Sequence, residues 1–298
     1  MNHSMYFASS TLFWSLPIKE WFALAAEYQL GGIEVWAQQL DSNNLEPAEL
    51  KALAKRYNMR LSVHSYSWDY NLMALAEPVR SITFNQTKKA IDLAGYLRAT
   101  GVTVHPGAMS FTGKENYPLE LAQTAEALAG YAQEQGTELS LEIMEKLPLE
   151  FLISLDAIKK MEVNVKDACK WKYTLDIAHC DSEKEVLLMA DYLQDRLHEF
   201  HLSNKKGMQR HCSPASEGDF FLPGIVESLQ KYNMVFILEG FDISGNADLF
   251  KKNIEYLDNK QKGRFIYVKK EKNYDDFSML RHVRHSIRRL RQSFRTER

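Results

Sequence analysis

The sequence predicts an α/β fold, a single (β/α)8 barrel, and three observations carry that expectation. Eight short apolar runs alternate with stretches of helical period across residues 1–261, the pattern of repeated βα units around a parallel sheet. No glycine-rich phosphate fingerprint follows the first run, which speaks against an open doubly wound sheet. A 298-residue chain is also long for one compact core, unless that core is a barrel.

The runs are, in order, Tyr6–Ser9, Gly32–Trp36, Arg60–His64, Val102–His105, Glu138–Ile143, Tyr173–Asp176, Glu199–Leu202 and Val235–Glu239. They read as strands covered on both faces, without clean alternation of apolar and polar residues. Between them, Pro47–Tyr57 spaces Leu50, Leu53 and Ala54 on one helical face, behind a proline suited to a first turn. Leu119–Gln135 repeats Leu121, Ala125 and Leu128, and Glu183–Leu197 and Pro223–Tyr232 follow the same period. Gly31, Asn58, Gly101, Gly136 and Asn233 stand where helices should end, each suited to a C-terminal cap. Two connections are long, Ser65–Glu77 and Ser203–Leu222. In a barrel such loops belong to the active face.

Hydrophobic residues at 45% and charged residues at 26% describe an ordinary globular chain. Cys169, Cys180 and Cys212 suit neither a disulfide framework nor a CxxC zinc site, and favour a reducing compartment. The N-terminus lacks a basic region followed by a long apolar run, and no stretch approaches the roughly 18 apolar residues of a spanning helix; a cytoplasmic location is expected. Charge is unevenly spread. Residues 262–298 hold 12 Lys and Arg against 4 Asp and Glu, which leaves 25 against 35 in residues 1–261. The chain therefore divides into an acidic barrel domain, 1–261, and a basic C-terminal extension, 262–298. In the extension, Phe277, Leu280, Val283, Ile287, Leu290 and Phe294 recur at spacings of three and four beside Arg281, Arg284, Arg288, Arg291 and Arg295. They predict an additional amphipathic basic helix, fit to meet the acidic barrel, an anionic membrane surface, nucleic acid or a partner subunit.

The ends of the runs are polar: His64, His105, Glu142, Asp176, His201 and Glu239, in that order. In a barrel these ends converge although they are distant in sequence. A lone histidine there is usually a loop anchor, and a lone carboxylate a helix cap. Three carboxylates meeting in one mouth repel, and each follows apolar residues that would bury it; a divalent cation is the simplest relief. Glu142, Asp176, His201 and Glu239 are therefore the expected ligands of one divalent metal ion. The oxygen-rich, thiolate-free set suits Mn, Mg or Co as well as Zn. His179, three residues after Asp176, faces the same cavity if the chain bends there. Trp14, Trp36, Tyr66 and Trp68 would form an apolar wall for a sugar ring, although ordinary packing explains them equally well.

Taken together and in this order, the strand-end His64, the VHPG around His105, the LE of Glu142, the LDxxH of Asp176, the HLSN of His201 and the LEG of Glu239 resemble the xylose isomerase-like TIM barrels, over about residues 5–258. That superfamily joins sugar and sugar-phosphate isomerases and epimerases to abasic-site endonucleases that use a zinc cluster. The isomerase branch implies a metal-dependent isomerase or epimerase of a sugar or polyol-derived ketone. The cation would hold the carbonyl and adjacent hydroxyl oxygens, an enediolate would form, and Glu142 and Glu239 would be both ligands and acid/base pair. His64, His105, His179, Arg210, His211, Trp36 and Trp68 are the expected substrate contacts, with Lys205 beside Arg210 for an anionic group. The endonuclease branch requires an Asp-x-His after strand seven, where this chain has Gln209-Arg210-His211. An acidic barrel also repels DNA unless its mouth is basic, so a small carbohydrate is the favoured partner and nucleic acid the disfavoured one. Glu145-Lys146 departs from the polar residue that related epimerases place after the strand-five glutamate. Ser216-Glu217-Gly218-Asp219 resembles a stretch these barrels carry before their last helix. A non-catalytic ligand-binding barrel and a homo-oligomer are compatible with the same sequence.

Overall fold

The computed structural model describes residues 3–111, 116–165, 170–207, 209–212 and 218–262. Eight strands close on themselves: β1 (Tyr6–Ser9), β2 (Gly32–Trp36), β3 (Arg60–His64), β4 (Val102–Val104), β5 (Leu139–Ile143), β6 (Lys172–Asp176), β7 (Leu197–Leu202) and, after a short hairpin, β10 (Val235–Leu238). Every pairing around the ring is parallel, and β10 returns to β1. The expected barrel is formed, with strand ends within two residues of the runs read from sequence. The hairpin, β8 (Asn204–Lys206) and β9 (Gln209–Cys212), lies inside the long connection after β7.

The helices are α1 (Ile18–Glu27), α2 (Ala37–Asn43), α3 (Pro47–Tyr57), α4 (Glu77–Leu97), α5 (Tyr117–Glu134), α6 (Leu155–Glu162), α7 (Glu183–Leu193), α8 (Leu222–Leu229) and α9 (Asp248–Lys262). No helix among the described residues is long and apolar enough to cross a membrane. Asn58 and Asn233 end their helical segments in the left-handed conformation, and Gly136 follows α5 with φ 71°, as expected. Gly31 and Gly101 do not cap. Gln29 and Arg98 take the left-handed position after α1 and α4, at φ 59° and 56°. The two glycines instead allow close approach: a Cβ would lie 2.0 Å from the Ser4 carbonyl oxygen at Gly31 and 2.5 Å from His198 Cε1 at Gly101.

The strands alternate more cleanly than their sequences suggested. Ile33 and Val35, Leu61 and Val63, Leu139 and Leu141, and Tyr173 and Leu175 belong to the main core shared with the helices. Their neighbours Glu34, Ser62, Ser140 and Thr174 are buried and polar, and point into the barrel, where Ser62 on β3 reaches Glu199 on β7. A separate apolar cluster, Phe7, Val235 and Ile237, is formed by β1 and β10. The polar face is thus the inside. The runs look continuously apolar because the inner positions are small or rare, not because both faces are greasy.

The chain forms one compact unit through Lys262. The basic helix expected beyond it, residues 263–298 of the extension, Cys169, Ser216 and Glu217 lie outside the described residues. Cys180 and Cys212 are free thiols.

Candidate metal centre and active site

The barrel strands deliver their last inward residues to one mouth. Glu142 is the penultimate residue of β5, Asp176 ends β6, His201 precedes the last residue of β7, and Glu239 follows β10 directly. Asp176 pairs in register with His201, beyond a register shift at Tyr173/Thr174. One donor atom from each of Glu142, Asp176 and His201 lies within 4.8 Å of the others. Glu239 joins them through Oε1, 3.0 Å from His201 Nδ1, while Glu142 Oε1 is 3.7 Å from the same nitrogen. All four residues are buried.

These groups lack ordinary partners. Glu142 Oε2, Asp176 Oδ2, Glu239 Oε2 and both ring nitrogens of His201 are buried without a well-formed hydrogen bond among the described residues. Orphaned carboxylate oxygens in a protein interior are expensive unless a cation or proton meets them. Burial works against ionisation of Glu142, yet His105 and His201 outweigh it and hold its carboxyl well below the usual range. Burial likewise opposes Glu239, where His201 and His211 prevail and lower it. Asp176 is pushed up to about 6 by burial, with Glu239 adding to the rise against His179. Burial would lower His201, but Glu239, Glu34 and Glu142 raise it well above an ordinary histidine. The donor set of three carboxylates and an imidazole therefore fits a divalent cation, which would replace the protons that otherwise balance it.

Local structure places the surrounding histidines. Asp176 Oδ1 accepts from the Ala178 amide (2.7 Å) and caps the short 3-10 turn Ile177–His179. That turn folds His179 back until its Nε2 is 3.3 Å from Asp176 Oδ2. His179 Nδ1 donates to the Ile143 carbonyl (2.7 Å), and His64 Nδ1 donates to the Ser65 carbonyl (2.9 Å). A carbonyl only accepts, so both rings carry a proton on Nδ1 and turn Nε2 into the mouth. His64 Nε2 and His105 Nε2 face Glu142 Oε2 at 3.4 and 3.0 Å. The β8–β9 hairpin brings His211 over the same opening, its Nε2 3.2 Å from His179 Nε2. Two further groups of mutually close donors result, His64–His105–Glu142 and Asp176–His179–His211.

A cavity of about 250 Å³ opens above these residues. Glu142, Glu239, His64, His105, His179 and His211 share its lining with Trp36 and Trp68. Trp36 stacks on His64 at 4.2 Å between ring centroids, and Trp68 contacts Trp36 and Trp14. Tyr66 does not line it; its hydroxyl donates to Asp41. Arg210 and Lys205 point away from the lining, toward Asp181 at 3.7 and 3.9 Å, and Lys146 makes a 2.7 Å ion pair with the same carboxylate. Asp219 accepts from the Gly207 amide (2.7 Å) and so shapes the connection after β7.

Sequence reasoning missed several residues here. Thr11, Met144 and Phe241 line the cavity from connecting segments that carry no periodic signal, beside Glu145, which the sequence singled out only as a departure. Glu34 and Glu199, fully buried beneath the mouth, were also missed. Their signal was period two: each precedes an inward-facing site residue, Trp36 or His201, by two positions.

A closed parallel (β/α)8 barrel with carboxylates and imidazoles gathered at the C-terminal ends of its strands defines a class of barrels that act at that face. The xylose isomerase-like TIM barrel family matches residues 22–260, and the chain belongs to it. A structure described as a D-tagatose 3-epimerase-like protein is similar at 21% identity, with TM-score 0.68, covering 86% of this chain and 99% of its own. The 3-keto-D-glucoside 4-epimerase of E. coli is similar at 16% identity and TM-score 0.68, over 87% and 99% of the two chains. The probable 3-DHS dehydratase of Bacillus anthracis is similar at 17% identity and TM-score 0.69, over 86% and 99%. Among curated sequences, an uncharacterized protein of Methanocaldococcus jannaschii is 23% identical over 231 residues, 72% of this chain and 78% of its own.

Proposed function

We propose that this protein is a divalent-metal-dependent isomerase or epimerase of a sugar or polyol-derived ketone. The observation that carries the reading is the placement of Glu142 and Glu239. Both line one cavity, both keep a buried oxygen that has no well-formed hydrogen bond among the described residues, and they stand three strands apart around the ring, flanking His201. Glu142, Asp176, His201 and Glu239 would hold the cation, which when bound polarises a substrate carbonyl. One glutamate takes the proton from the carbon beside that carbonyl, leaving the substrate as an enediolate. The other, having taken up a proton from solvent, gives it from its own side of the mouth to the same or the neighbouring carbon, and the first releases its proton to solvent before the next turnover. His179 Nε2, turned into the mouth, faces a substrate oxygen. Trp36 and Trp68 lie against the apolar face of the sugar. A 3-keto-D-glucoside 4-epimerase and a D-tagatose 3-epimerase-like protein among the structural neighbours support the choice of chemistry.

The test is solvent deuterium incorporation into a panel of ketoses by the Mn-loaded protein. Exchange with at least one ketose, abolished in Glu142→Gln and in Glu239→Gln, is expected. Absence of exchange with every candidate, despite bound metal, would leave a non-catalytic binding barrel as the better account.

A second reading is favoured by one observation, the two additional donor groups around Glu142 and Asp176. With two or three zinc ions the mouth would suit hydrolysis of a phosphodiester at an abasic site. Gln209 stands on β9 where that chemistry would use a carboxylate. Metal analysis separates the readings: one ion per chain supports the isomerase, and two or three zinc ions with incision of abasic duplex support the nuclease.

A further inference from the structure

Beneath the mouth lies a second layer of buried charge that the proton-transfer reading does not use. Glu34 on β2 and Glu199 on β7 are both fully buried inside the barrel. They approach the underside of one ring: His201 Nε2 is 3.2 Å from Glu34 Oε1 and 3.7 Å from Glu199 Oε1. The other edge of that ring, Nδ1, faces Glu239 and Glu142 above.

The two lower carboxylates are not equivalent. Glu199 is already engaged, because Ser62 Oγ donates to its Oε2 (2.8 Å) and Thr103 Oγ1 donates to its Oε1 (2.7 Å). Thr103 has one hydroxyl proton and gives it to Glu199. At the 2.8 Å contact with Thr174 it must therefore accept, and Thr174 must in turn accept from Ser140 at 2.8 Å. The hydroxyls of β5, β6 and β4 thus form a one-way chain ending on Glu199, which anchors that carboxylate. Among the described residues no hydroxyl is given to Glu34, and both its oxygens are buried without a well-formed hydrogen bond. Its nearest donor is His201 Nε2.

We propose that Glu34 is a positioning residue: from beneath, its carboxylate takes the Nε2–H of His201 and holds the ring with the Nδ1 lone pair turned toward Glu142 and Glu239. Glu199 closes the other side of that proton; Glu239 and Glu142 face Nδ1 from above, and with those two carboxylates engaged by a cation the acceptors left to the ring are Glu34 and Glu199. A carboxylate on the distal nitrogen of a ligating histidine both orients the ring and makes it a better donor. The inference rests on the reading of His201 as a metal ligand.

The experiment uses the full chain with metal alone as the probe. In the zinc-loaded, 15N-histidine-labelled protein, His201 is expected to show a protonated Nε2 and a metal-shifted Nδ1. Glu34→Gln keeps the volume and should weaken Mn binding by about 10–100-fold in calorimetric titration, with loss of the single-tautomer signature. Wild-type affinity and an unchanged His201 spectrum in Glu34→Gln would overturn the proposal. Should Glu34→Gln not fold, the wild-type spectrum decides, since an unprotonated Nε2 on metal-bound His201 overturns it equally. Asp176→Asn separates the two levels. If it loses metal while Glu34→Gln does not, only the role of Glu34 falls; if it keeps metal, the site itself was misread.

Discussion

Asp176→Asn is the sharpest probe of the mouth, because the structure says what the substitution leaves alone. Asp176 Oδ1 accepts from the Ala178 amide, and an asparagine oxygen makes the same bond, so the turn that carries His179 should survive. What disappears is the charge on Oδ2, which is buried and has no hydrogen-bond donor. In metal-free protein this removes a charge that burial, with Glu239 and Glu142, disfavours more than His179 and His211 favour it, so the variant should melt no lower than wild type. Metal changes the order. At a free concentration of 100 times Kd, a cation stabilises the wild-type fold by about 2.7 kcal/mol, a rise in Tm of roughly 5–10 °C for a barrel of this size. If losing the carboxylate weakens binding about 100-fold, the same concentration leaves about 0.4 kcal/mol, or roughly 1–2 °C. Thermal melts with and without Mn, followed by circular dichroism, read both quantities. An equal metal-induced shift in the two proteins would refute the assignment of Asp176 and the argument from orphaned oxygens behind it.

Three other perturbations test separate parts of the structure. Gly101→Ala places a Cβ within 2.5 Å of His198 Cε1 and 3.1 Å of the Glu138 carbonyl, and should lower the urea-unfolding free energy by about 1–3 kcal/mol; an unchanged midpoint would mean that His198 yields freely. Ser182→Ala removes the side chain that accepts the Glu185 amide at the start of α7, and should lose about 1 kcal/mol in the same assay without altering metal affinity. Trp68→Ala strips an exposed rim aromatic from the cavity wall, so KM for a turned-over ketose should rise several-fold with kcat held within about twofold. A fall in kcat alone would place Trp68 elsewhere in the reaction.

Much of the architecture was legible because barrel geometry repeats. Each strand had to end where a helix could begin, so residues such as Glu142 and Asp176 announced themselves as charges closing apolar runs. The convergence of those ends follows from closure of the sheet, which no single run could show but eight together imply. Helix termination was less legible. Glycine was the natural cap at Gly31 and Gly101, yet Gln29 and Arg98 took the left-handed turn while the glycines made room for Ser4 and His198. Cap preference is worth about a kilocalorie, and tertiary approach distances override it.

The layer below the mouth was hidden for a different reason. Glu34 sits in GIEVW and Glu199 in LHEFHL, where a single acid inside an apolar run is indistinguishable from a solvent-facing residue of a half-buried strand. Only closure turns that face inward. Once it does, Ser62 and Thr103 donate to a buried acid, with Thr174 and Ser140 behind Thr103, and that order around the ring fixes the direction in which these hydroxyls point. Glu199 is accordingly held down to about 2, where burial is outweighed by His198, His201 and Thr103, whereas burial raises Glu34. The same strand positions that look like interrupted hydrophobic sequence therefore build a graded support. A firmly bonded carboxyl group and a freer one lie under His201, and the carboxylates that line the cavity lie above it. A barrel filled with leucine and valine at these positions would close as well, but it would leave the Nε2 edge of His201 without an acceptor for its proton.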